Sequence, residues 1–158
     1  MKMVGPLLLT LIFIIISVIL SIGLYRSWKT QSSPNQEIFL LGKVPNRLPD
    51  GFFRGSVTGF KSTWQGKKFD AKSKKGINIF KKENNLSENY PFRIYSSKGL
   101  ADNIEVLRID YNIPQNPFWL RFIKDEIVEV GKDKFLGKLN INLFPGITFQ
   151  LGYFRLEK

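Results

Sequence analysis

Few residues in this chain can do acid–base or nucleophilic work. It contains no histidine and no cysteine. The usual general base of a triad, the commonest zinc ligand and thiol chemistry are therefore all missing. Carboxylates, tyrosines and cationic side chains remain. Asp125 and Glu126 are adjacent, and paired carboxylates driven apart in pKa by burial can serve as acid and base. Neighbours on a strand point to opposite faces, however. Asp125 is accordingly expected in the turn after Lys124, and Glu126 at a strand edge. Asp110, with Tyr111 or Tyr95, is the better candidate for moving a proton. No catalytic residue, metal site or cofactor is assigned.

Binding chemistry is easier to place. Along Glu105-Val106-Leu107-Arg108-Ile109-Asp110-Tyr111-Asn112, a period of two puts Leu107, Ile109 and Tyr111 on one face and Arg108, Asp110 and Asn112 on the other. The next segment offers Trp119, Arg121 and Ile123. If the Arg108 face turns inward, Arg108, Asp110, Asn112 and Arg121 form a polar focus able to orient the head of an amphiphile. If it turns outward, they are cross-strand charge pairs worth about 0.2–1 kcal/mol each.

These residues sit on a β-rich scaffold. From residue 37 onward, short apolar alternations are broken by turn chemistry such as Pro49-Asp50-Gly51, Lys98-Gly99 and Pro145-Gly146. Strands are expected over 38–43, 52–60, 76–82, 92–97, 104–112, 119–124, 127–130, 135–143 and 147–156. An antiparallel meander of this size removes its edges by closing, so the expected fold is all-β, a small antiparallel barrel. An eight-stranded barrel is just wide enough to be filled by side chains or to hold one small ligand. A packed core and a ligand cavity both fit the strongly apolar face of Ile147, Phe149, Leu151 and Tyr153.

The most distinctive run is Ser62-Thr63-Trp64-Gln65-Gly66-Lys67-Lys68-Phe69, preceded by Leu48-Pro49-Asp50-Gly51-Phe52-Phe53-Arg54-Gly55. Gly66 permits positive φ or close backbone approach, and Trp64 and Phe69 are large apolar anchors. Trp64 is placed either as a plug at one end of the barrel or as a surface on which a ligand stacks. Lys67 is either solvated or a cap for a carboxylate or lipid headgroup. The pairing of P-x-G-x-x-x-G with W-x-G-K-x-F resembles the small domains named for a G-x-W-x-G motif, with Ser62 where that family has its first glycine. The resemblance implies a calycin-like, lipocalin-like barrel with an apolar ligand and supplies no catalytic residue.

Ahead of this domain, residues 7–25 pass without a charge, and only Thr10, Ser17 and Ser21 are polar. A helix of that length reaches about 28 Å, against a hydrocarbon thickness of about 30 Å. Residues 1–25 are assigned as a single-pass anchor, with a cleaved signal peptide as the alternative. Lys2 faces Arg26 and Lys29 across the span, and the short N-terminal tail places the domain on the extracytoplasmic side. Residues 26–36 are expected to form a flexible juxtamembrane linker with Trp28 at the interface. Residues 37–158 form the barrel domain.

Charge suggests partners. Setting Lys2, Arg26 and Lys29 aside from the 24 basic residues leaves 21 against 13 acidic ones, a formal +8 for the domain. Between positions 61 and 82, Lys61, Lys67, Lys68, Lys72, Lys74, Lys75, Lys81 and Lys82 face only Asp70. For a tethered domain the nearest abundant anion is a lipid headgroup, and each basic residue near such a surface contributes about 1 kcal/mol. Lys67, Lys68, Lys72, Lys74 and Lys75 are the expected membrane-surface residues. Nucleic acid is disfavoured, because no recognition motif accompanies the lysines. The expected function is a membrane-anchored barrel that binds an apolar or amphiphilic small molecule through Trp64, Phe69, Arg108, Asp110, Asn112, Trp119 and Arg121. The alternatives are a solid barrel serving as a structural or assembly protein, and a histidine-free isomerase or cyclase, which a cavity with a shielded carboxylate would favour.

Overall fold

A computed structural model describes residues 4–57, 62–83 and 85–158. An apolar helix, α1 (Val4–Gln31), is followed by a short helix, α2 (Pro34–Leu41). Eight strands follow: β1 (Gly51–Val57), β2 (Trp64–Asp70), β3 (Lys75–Lys82), β4 (Asn85–Lys98), β5 (Glu105–Asp110), β6 (Ile123–Gly131), β7 (Lys134–Phe144) and β8 (Ile147–Glu157). Each pairs antiparallel with its neighbour in sequence, and β8 returns to β1 to close the barrel. α1 is long and apolar enough to cross a membrane.

Three local expectations are corrected. Residues 38–43 belong mostly to α2, because Ser33 caps it by accepting the Asn35 N–H at 3.3 Å and Pro34 opens its first turn. Residues 26–31 continue α1, so the linker is helical and only Ser32 and Ser33 turn the chain between the two helices. Residues 118–122 form a 3-10 helix, set by Pro117 at its N-cap, and the strand begins only at Ile123. β2 was not among the expected strands, since Gly66, Lys67 and Lys68 interrupt its alternation. The expected strand end at Phe60, together with Lys2 and Lys61, lies outside the described residues.

The interior is packed in one half. Phe53, Phe69, Phe92, Leu107, Ile109 and Leu156 are buried there, with Phe53 edge-on to both Phe69 and Phe135. A second apolar cluster lies outside the barrel wall, where Phe39 of α2 covers Val106, Val128, Leu136 and Tyr153. Beneath α2, Lys138 is wholly buried and pairs with Asp102 and with Gln36 Oε1 at 2.8 Å. Burying an ammonium requires such partners, and they pin α2 to the wall.

α1 seats on β8. Among the described residues β1 pairs with β8 only as far as Phe154, opposite Val57, and the start of β8 lies beyond that pairing. The C-terminal part of α1 covers it: Ser27 Oγ accepts the Gln150 N–H at 2.9 Å and Thr30 Oγ1 donates to the Gln150 carbonyl at 3.3 Å. Gly23 makes this approach possible, since a Cβ there would stand 2.7 Å from the Phe149 ring.

In an up-and-down barrel, alternate connections emerge at the same end. The β3–β4 and β7–β8 hairpins and the β5–β6 connection therefore share one end, here called the upper. The lower end carries the β2–β3, β4–β5 and β6–β7 connections. From Gly23 at Phe149, through Gln36 at Tyr153, to Lys43 bridged to Glu129, the chain descends the wall from upper to lower end. The apolar residues before Gly23 therefore extend beyond the upper end.

Candidate functional site

The upper half of the barrel is hollow. A cavity of about 370 Å³ lies among Val57, Phe80, Tyr90, Leu120, Ile123 and Leu139, with Trp64 and Phe154 completing its wall. That volume falls within the range of small-molecule sites, about 300–1,000 Å³.

Irregular strands aim the side chains into this space. The pairing of β2 with β3 slips between Trp64 and Gly66. Such a bulge re-phases a strand, so Trp64, Lys67 and Phe69 all reach the interior although 64 and 67 differ by an odd number. Gly66 makes this possible with φ 137°, in a place where a Cβ would collide with the Phe53 carbonyl oxygen. A second slip, between Gly76 and Asn78, faces Tyr90, whose φ of 58° is exceptional for an aromatic residue. Asn78 holds that conformation by donating to the Tyr90 carbonyl at 3.0 Å.

On the cavity floor lies a buried polar cluster. Lys67 Nζ donates to Asp125 Oδ2 at 2.9 Å, to Asn78 Oδ1 at 2.9 Å and to the Tyr111 hydroxyl, which uses all three ammonium protons. Tyr111 donates to Asp125 Oδ2 at 3.0 Å, and Trp64 Nε1 to Asn78 Oδ1 at 3.0 Å. The rings of Trp64, Phe92, Tyr111 and Phe154 surround the ammonium at 5.1–5.4 Å, an arrangement that favours a cation. Burial still pushes Lys67 below its usual pKa, against the opposing pull of Asp125. Burial, reinforced by the Asp125 charge, drives the Tyr111 hydroxyl well upward. The floor therefore sets a neutral phenol beside the Lys67–Asp125 salt bridge. Asp125 is among the residues lining the cavity, and its Oδ1 is buried without a partner among the described residues.

Comparison with known proteins adds the fold and little more. No family model and no curated relative matches the chain. A crystal structure of a protein from Thermomonospora curvata superposes with a TM-score of 0.51 at 17% identity, covering 74% of this chain and 79% of that one. It shares the fold.

Several anticipated site residues stand elsewhere. Arg108 and Asp110 lie on the outer wall, because Leu107 and Ile109 fill the inner face of β5 and Tyr111, just after it, joins them in the interior. Arg108 pairs with Glu126 Oε1 at 2.9 Å, which also accepts the Leu100 N–H at 2.7 Å. Asp110 gathers Lys124 at 2.7 Å, Arg93 at 3.3 Å and the Tyr95 hydroxyl at 3.1 Å. Asn112 is exposed, with its N–H on Asp110 Oδ1 at 2.8 Å. Arg121 ties down its own loop by donating to the carbonyls of Asn116 at 3.0 Å and Pro114 at 2.9 Å. The expected polar focus is therefore not in the interior. Of the anticipated residues, Trp64 lines the cavity, Phe69 belongs to the packed core below it, and Trp119 is exposed above it. Asp125 lies within β6 rather than in a turn and points inward, with Glu126 outward as strand geometry requires.

The lysines divide in the same way. Lys67 is buried and cannot meet a headgroup. Lys68 is exposed and pairs with Glu88 at 3.1 Å, while Lys72, Lys74 and Lys75 cluster at the lower-end turn. Asn78 and Asp125 had not been anticipated in the site. A polar residue inside the apolar run Ile77-Asn78-Ile79 is the signal that identifies the first, since buried polar groups are rare without a purpose.

Asp110 gives a test of the outer cluster. Burial alone would raise its pKa, but Lys124, the Asn112 N–H and Tyr95 outweigh this and hold it below 3.8. A depressed carboxylate stabilises the fold above its unfolded pKa, and that contribution is lost as pH falls through the folded value. Asp110→Asn should therefore cost about 1–2 kcal/mol at pH 7. The gap between variant and wild type should close as unfolding is followed below pH 3.8.

Proposed function

We propose that this protein is a membrane-tethered barrel that binds an apolar or amphiphilic small molecule in its upper cavity. The observation carrying this reading is the joining of apolar walls to one buried, unused acceptor, Asp125 Oδ1. Lys67 already neutralises the Asp125 carboxylate, so a ligand carboxylate would meet a site with no spare positive charge. A hydroxyl or amine head would instead donate to Oδ1, with its apolar body along Phe80, Leu120 and Leu139. The likeness of Trp64-Gln65-Gly66-Lys67 to the G-x-W-x-G domains agrees with such a role. α1 supplies the tether.

The test is native mass spectrometry of the full chain, extracted gently from its own membranes, followed by solvent extraction of whatever accompanies it. A stoichiometric apolar compound should be found in the wild type and lost in Leu139→Trp, which fills the cavity while keeping the circular dichroism spectrum. A bare mass for both proteins across preparations would sink the reading.

A second reading, a histidine-free isomerase or cyclase, is favoured by the same shielded carboxylate on a contiguous cavity. Incubating the protein with its extracted compound in heavy water separates the two. Deuterium on carbon supports proton transfer at Asp125, and its absence leaves binding alone.

A further inference from the structure

The upper end of the barrel exposes more large apolar side chains than the lower, where Phe52 and Val130 are exposed by 42% and 37%. The upper-end connections carry Leu86, Phe118, Trp119, Phe144 and Ile147, exposed by 68%, 72%, 61%, 66% and 45% respectively. Five large apolar side chains at one end of a barrel exceed the scattered exposure normal on a soluble surface. The lower-end turns carry Lys72, Lys74, Lys132 and Asp133, all exposed. Charge also marks the upper end: Lys81, level with Leu86, and Lys82 and Glu83 at the tip of the β3–β4 hairpin are exposed.

The seat of α1 fixes where this apolar end lies. Phe149 meets Gly23, and Ile147 is two residues nearer the upper end. At about 3.3 Å per strand residue it stands about 7 Å beyond that contact. α1 packs chiefly along β8, and its residues before Gly23 are largely exposed and apolar. The β7–β8 hairpin tip, with Phe144 and Ile147, therefore lies beside the apolar stretch of α1, above the level of Tyr25 and Trp28.

We infer that the upper end of the barrel is a bilayer-docking surface: Phe118, Trp119, Phe144 and Ile147 enter the lipid interface, and the cavity above the Lys67–Asp125 floor faces the membrane. If α1 spans the bilayer, its rigid seat on β8 leaves the hairpin tip no other place. Aromatic rings at the headgroup level beside exposed lysines are the chemistry of interfacial binding. An apolar molecule then passes from lipid to cavity without crossing water. The docking itself does not depend on the cavity being occupied.

The absence of cysteine makes the test direct. Spin labels are placed singly at Phe118→Cys, Phe144→Cys and Lys74→Cys in the full chain, reconstituted in phosphatidylcholine vesicles containing phosphatidylglycerol. Collision with oxygen, which partitions into lipid, is compared with collision with a water-soluble nickel chelate. Labels at 118 and 144 should favour oxygen over nickel several-fold relative to the label at 74, with little effect of the substitutions on the circular dichroism spectrum. Labels at 118 and 144 as open to nickel as the one at 74 would show a barrel standing clear of the bilayer. A shielded label at 74 would show docking through the lysine-rich lower end. Either result overturns the inference, whether or not a ligand is found in the cavity.

Discussion

Lys67→Met should cost about 3–5 kcal/mol of stability, and Asp125→Leu a similar amount, because each leaves the other's charge buried and unpaired. Lys67 and Asp125 have side chains 3% and 4% exposed, so bulk water screens neither charge. The double variant should recover much of the loss, with a coupling energy of about 2–3 kcal/mol. Trp64, Asn78 and Tyr111 can still bond to one another in it. Denaturant unfolding of the full chain in mild detergent measures all three. Single variants costing under about 1 kcal/mol would mean that the pair is solvated in the native protein. The double variant also separates folding from binding, since a barrel that folds without Asp125 has lost the acceptor assigned to the ligand head.

A buried ion pair of this kind is weak evidence that evolution sought stability there. Apolar residues of similar volume would serve a solid barrel at least as well. Polar groups are instead concentrated at the boundary between the packed half and the hollow half, where Phe92 and Phe154 enclose the ammonium. Two strand irregularities, at Gly66 and Asn78, aim residues into this boundary. Retaining both the pair and the irregularities is easier to explain by a ligand than by the fold.

The barrel was legible in the sequence because alternation and turn chemistry are local. β7 carries a clear period-two pattern and the hairpin at Pro145-Gly146 joins it to β8 as expected, but a slip at Leu151 turns Tyr153 outward and Phe154 and Leu156 inward, which corrects the single face expected of Ile147, Phe149, Leu151 and Tyr153. α2 was misread because Ile38, Phe39, Leu40 and Leu41 make too short an apolar run to separate helix from strand, although Ser33-Pro34 announces a helix start. The site was partly legible: Trp64 and Gly66 stood out by type, and Lys67 by its place beside them. What alternation could not reveal was phase. Without the bulge, Lys67 would face away from Trp64, and a strand of Lys124, Asp125 and Glu126 looks solvated until its partner across the barrel is known. Arg108 and Asp110 show the converse case, in which a correct two-face division left open which face turns inward.

That dependence on phase makes Gly66→Ala the most informative backbone substitution, with an expected cost of about 3 kcal/mol or more. A φ of 137° is strained for alanine, at about 1–3 kcal/mol. The new Cβ also meets the Phe53 carbonyl oxygen, which is main chain in the paired strand β1 and cannot swing aside. Overpacking of this kind adds about 1–3 kcal/mol. Gly51→Ala is the control, since Gly51 has φ 84° but faces open space; it should cost only about 1 kcal/mol. Equal losses for the two variants would show that the close approach at Gly66 is not needed. If Gly66→Ala instead relaxes by erasing the bulge, Trp64 and Lys67 fall on opposite faces of β2. Either Lys67 leaves Asp125 or Trp64 leaves the cavity wall, and in both cases the cavity loses its ligand even where the barrel survives.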